Sequence, residues 1–165
     1  MIALKAEDVK SFTTKLFVRE DFDAFLVKEV NITTYNSFSI DGHVKQGYYT
    51  EEEREENHIE EFSSWKTLRP FCFSLIKGKK LPGSLLQLPK AGTEKFAART
   101  GAGIEGSQIQ GLYLNIRYDD GKMYCITGTS LNFFTMDKTL DLEWDKAVKQ
   151  FLQSHEIPCT EATEG

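Results

Sequence analysis

Between Leu112 and Thr129 apolar and polar residues alternate on both sides of Asp120-Gly121. Leu112, Leu114, Ile116 and Tyr118 share one face and Tyr113, Asn115 and Arg117 the other, the period of a strand with one side buried. Asp-Gly accepts the positive φ that a two-residue hairpin loop demands. With those residues as the loop, Tyr118 faces Met123, Ile116 faces Cys125 and Leu114 faces Thr127, so the Cys125 thiol is expected to be buried and inert. A chain with this segment must build an antiparallel sheet and cover one side of it.

The cover comes from helical periodicities. Val9, Phe12, Leu16 and Phe17 predict a helix near 7–18, with acids at its start and Lys15 and Arg19 at its end. Trp65, Leu68, Cys72, Leu75 and Ile76 predict a second, with Thr67 as N-cap, Pro70 in the first turn and Gly78 as its stop; Phe71, Phe73 and Leu75 also alternate, which keeps a strand open there. A third, near 141–154, carries Trp144, Val148, Phe151 and Leu152 and ends before Pro158. A short helix over 94–99 and a capping box at Thr50 to Glu53 complete the set.

Further strands are expected from Phe22 to Ile40 and at Leu85 to Leu88. Asp41-Gly42 reads as another hairpin turn, with Val44 to Tyr49 returning as the partner strand. The whole predicts an α+β fold, a mostly antiparallel sheet with about three helices packed on it, in outline two similar αβββ halves. With 165 residues, 40% of them hydrophobic, one domain over 1–157 is expected, followed by a disordered tail at 158–165.

Three widely spaced cysteines fit neither a disulfide framework nor a zinc site and read as reduced thiols. No stretch has the order of a secretory signal or the length of a membrane span, so a cytoplasmic protein without a membrane partner is expected. The formal net charge is -5, yet its distribution is uneven. Residues 51–61 hold seven acids against Arg54, a solvated run. Between Lys66 and Arg99 eight cations stand against Glu94 alone, a local balance of +7. Cations that converge attract phosphates, nucleic acid or an acidic protein surface, and Arg69, Lys77, Lys79 and Lys80 are the candidate anion-binding residues.

No motif for catalysis is complete. Gly101 to Gly106 spells G-x-G-x-x-G, but a helix precedes it and a strand follows, the reverse of a dinucleotide site. Lys77 to Lys80 lacks the rest of a Walker loop, Ser130 lacks an elbow, and His43, His58 and His155 are too far apart in sequence for a metal motif. No catalytic residue, metal or cofactor is assigned.

Phe38 to Gly42, Trp65 through Arg69-Pro70 to Lys79, Gly111 to Ile116, Thr127 to Ser130 and Glu143-Trp144-Asp145 together resemble a domain-of-unknown-function family (5721) of clostridial and related Firmicutes bacteria. That resemblance implies a small bacterial cytoplasmic protein and carries over no catalytic residue. In shape alone, helix and strands repeated with Asp-Gly hairpins are similar to the half-ring domains of DNA sliding clamps. The leading expectation is a non-catalytic binding or regulatory module with an anionic partner. An enzyme acting on a small anionic metabolite, with Asp41 or His43 near the chemistry and Arg69 or the lysines on the substrate, is the alternative. A structural homo-oligomer, for instance a homodimer joined through Tyr48, Tyr49 and Tyr113, is the third.

Overall fold

The computed structural model describes residues 1–34, 36–76, 83–87, 90–101, 103–119 and 121–162, with no side-chain account of 83–87 and 90–91. In chain order the elements are β1 (Ala3–Ala6), α1 (Val9–Phe17), β2 (Leu26–Thr33), β3 (Ser37–Asp41), α2 (Glu51–Glu56) and α3 (Trp65–Ile76). Then come β4 (Gly83–Gln87), α4 (Lys90–Thr100), β5 (Ile109–Asp119), β6 (Lys122–Leu131), α5 (Thr139–Ser154) and β7 (Cys159–Glu161). The strands form one sheet in the order β3-β2-β4-β5-β6-β1-β7, and every neighbouring pair is antiparallel. The fold is α+β.

The β5–β6 hairpin has the register its alternation predicts: Tyr118 pairs with Met123, Ile116 with Cys125 and Leu114 with Thr127. Leu112, Leu114, Ile116, Met123 and Cys125 are wholly buried, whereas Tyr113, Asn115 and Tyr124 on the other face are half-exposed. Each buried aliphatic side chain contributes about 1.5–3 kcal/mol. The covered face packs against α3 over β2, α4 over β5 and α5 over β6, and α1 lies against α3. Asp8 caps α1 by accepting from the Ser11 amide, and the capping box at Thr50 is complete.

Asp41-Gly42 does not make a hairpin. Strand β2 pairs with β3 instead, the Thr34 amide bonds to the Asn36 carbonyl, and the Asp41 end of β3 lies opposite Glu29. Gly42 lacks a positive φ and instead lies against the backbone of Val27. The chain at 43–44 then pairs with 61–62 rather than starting the strand expected from Val44 to Tyr49. The outline of two αβββ halves fails with it: two strands follow α1, while α4 interrupts the three that follow α3. Among the described residues there are five α-helices, four of them nine residues or longer.

Part of the expected tail is a strand. Cys159–Glu161 closes one edge of the sheet as β7, because β1 offers it an unpaired row of backbone groups; Ala6 pairs with Cys159 and Leu4 with Glu161. Helix α3 starts one turn earlier than expected, since the Ser64 hydroxyl, not Thr67, accepts from a first-turn amide. Pro70 therefore lies inside the helix. Gly78, Leu88 and Asp120 lie outside the described residues.

All three thiols are free. Burial pushes Cys125 well above its ordinary range, and burial raises Cys72 and Cys159 from 9.0 to about 11, with the Glu7 carboxylate adding to the effect at Cys159. The folded protein thus keeps protons that the unfolded chain loses near pH 9. Stability from this source is full below that pH and declines as pH climbs toward about 11. Urea unfolding at pH about 8 and about 10.5 should show the decline, and Cys72→Ala should flatten it; an equal slope in the variant would remove the thiol as its cause.

Candidate functional site

Helices α4 and α5 face each other across a gap. On α5, Trp144, Ala147, Val148 and Phe151 recur at three- and four-residue intervals and present one stripe. On α4, Gly92, Lys95, Phe96 and Arg99 do the same. Two such stripes normally close on each other with apolar side chains. Here Phe96 reaches across, its ring edge-on to Trp144 at 5.4 Å between centroids. Gly92 contributes no bulk, and Lys95 and Arg99 are exposed.

The gap is a cavity of about 570 Å³ floored by Leu114 of β5 and walled by Phe25. Its walls are fixed by contacts outside it. Trp144 Nε1 donates to the Tyr113 carbonyl at 3.0 Å, and Phe151 stands edge-on to Phe25 and Phe22 at 5.4 and 5.3 Å. Among the described residues neither Lys95 nor Arg99 has a hydrogen-bond or ion-pair partner. An apolar, aromatic cavity with two uncompensated cations at its mouth suits a molecule with an apolar body and a negative head.

A second cleft, about 650 Å³, runs between α1 and the end of α5. Part of its charge is engaged within the fold. Lys15 Nζ donates to the carbonyls of His155 and Glu156, fastening the negative end of α5, and Asp21 Oδ1 takes His155 Nδ1 at 2.8 Å. Three acids, Asp8, Asp21 and Glu156, balance its three cations.

Of the residues expected to hold an anion, Arg69 is engaged elsewhere. Its guanidinium forks onto Asp23, with both N···O distances 2.9 Å, and also donates to the carbonyls of Phe17 and Val18. Lys77, Lys79 and Lys80 lie outside the described residues. Asp41 and His43 do meet, at 2.6 Å, and hydrogen bonds from the His43 amide and ring hold the Asp41 carboxyl below its ordinary range. That pair is exposed at and just beyond the end of edge strand β3 and shares no cleft with Arg69 among the four described. Of the tyrosines expected at an interface, Tyr48 is widely exposed, while the Tyr113 ring lies over Gly111.

Lys95 and Arg99 belong to the basic segment of the sequence, but a helix over 94–99 leaves Gly92 out of the α4 stripe. Carrying the period back to Gly92 is the signal that finds it. No curated protein and no solved structure matches the chain. The model of a family of unknown function (DUF5721) matches residues 15–160, which include every residue lining the α4–α5 cavity, and the chain belongs to that family.

Proposed function

We propose that the protein is a small bacterial cytoplasmic binding module, not a catalyst, that takes an amphipathic anion into the α4–α5 cavity. The observation that carries this reading is the replacement of apolar closure by Lys95 and Arg99 above an aromatic cavity. The resemblance to a bacterial family and the three free thiols support the setting. Leu114, Val148 and Phe151 take the apolar body, and the two cations take the head. Among the described residues, the cavity lining includes no carboxylate, histidine, thiol or hydroxyl side chain.

Decanoate tests it, read through Trp144 fluorescence. Saturable binding below millimolar concentration is expected, with decylamine at least tenfold weaker. Lys95→Ala and Arg99→Ala should each weaken decanoate roughly fivefold, the worth of about 1 kcal/mol for an exposed charge contact. Ala147→Phe should fill the cavity and block binding while the thermal midpoint holds. Equal affinity for decanoate and decylamine, or binding indifferent to Ala147→Phe, would overturn the assignment.

A further inference from the structure

The loop between β6 and α5 holds its largest apolar side chains in water. Phe134 is 89% exposed and Met136 83%. Flexibility does not explain this, because the loop is fastened at both ends. The Asn132 amide donates to the Gln108 carbonyl at 2.9 Å, Asn132 Nδ2 to the Ser107 carbonyl at 2.8 Å, and Asp137 Oδ1 accepts from the Thr139 amide and hydroxyl at 2.9 and 2.6 Å. Burying either side chain would gain roughly 1.5–3 kcal/mol. A loop pinned with that gain unrealised is preorganised for a partner.

Its chemistry matches the cavity on the same chain. Phe134 and Met136 are an apolar body, and Asp137, exposed with one carboxylate oxygen uncommitted, is a negative head. Loop and cavity are also neighbours along α5. From Thr139 to Val148 is about 14 Å of helix at 1.5 Å per residue, so one two-fold axis beside α5 can exchange both loops at once. We infer that the occupant of the α4–α5 cavity is the Phe133 to Asp137 loop of a second copy, exchanged reciprocally, with Asp137 facing the partner's cations.

This rests on the cavity being receptive to an amphipathic anion, and light scattering with size-exclusion chromatography tests it on the full chain. A dimer is expected in the micromolar to millimolar range. Phe134→Ser and Met136→Ser, both at exposed positions and so harmless to folding, should each weaken it at least tenfold. Arg99→Glu should weaken it too, and adding Asp137→Lys should restore it. Saturating decanoate should release monomers. A monomer at millimolar concentration that still binds decanoate overturns the loop exchange and leaves the ligand reading standing. A monomer that binds no decanoate overturns both, and a dimer indifferent to Phe134→Ser overturns the exchange alone.

Discussion

Gly42→Ala should remove more than about 3 kcal/mol of stability, beyond the ~1–3 kcal/mol usual for an overpacked site. A β-carbon at that position would stand 1.7 Å from the Val27 carbonyl oxygen and 2.6 Å from its carbon. The obstacle is backbone, which has no rotamer to change. Nor can the segment slide away: the Gly42 amide donates to the Lys28 carbonyl at 3.0 Å, the Gly42 carbonyl accepts from Ser63 at 2.8 Å, and the Val27 amide bonds back to Ser63 at 2.8 Å. Either those bonds break or β2 moves, and Val27 itself is wholly buried. Urea denaturation measures the loss against Gly47→Ala, where φ is +81° but open space surrounds the site, so only about 1 kcal/mol of backbone strain is expected. A Gly42→Ala variant within 1 kcal/mol of the parent would mean that this close approach is absent.

The same glycine shows where sequence reasoning ran out. Asp41-Gly42 and Asp120-Gly121 are identical dipeptides, and both read as hairpin turns. At Gly121, with φ +75°, the reading holds, because alternation on both flanks supplies two strands that need joining. At Gly42 the local chemistry was the same, but the demand came from Val27, fifteen residues away, and close packing at that range leaves no periodic mark. Strands β1 and β7 escaped for a related reason. Four and three residues long, they carry little pattern, and each exists because a partner strand offers its edge.

Helical periodicity told which face of α5 is apolar but not how far away the next apolar face lies, and that separation makes the cavity. Charge behaved likewise. The basic segment was legible as a count, yet Arg69 is held by an acid 46 residues earlier, while Lys95 and Arg99, one turn apart, line the same cavity. Composition lists charges. Which are neutralised is decided by tertiary neighbours.

Trp65→Ala should cost about 3–5 kcal/mol, the range for deleting a fully buried aromatic. Trp65 has no exposed surface, stands edge-on to Phe17 at 5.6 Å, and donates its indole N–H to the Leu16 carbonyl at 2.7 Å. Its removal opens a cavity between α1 and α3 and also strands that buried carbonyl, which by itself costs about 1–3 kcal/mol. Trp65→Phe separates the two losses. Phenylalanine keeps most of the volume and forfeits the hydrogen bond, so about 1–3 kcal/mol is expected. The backbone gives a further check, because the Trp65 amide donates to the Phe25 carbonyl at 2.8 Å, and the Phe25 side chain walls the α4–α5 cavity. That bond survives the change to phenylalanine, so decanoate affinity should stay within about twofold of the parent while the urea midpoint falls. A Trp65→Phe protein as stable as the parent would show that the indole N–H contributes nothing, and that packing alone ties α3 to α1.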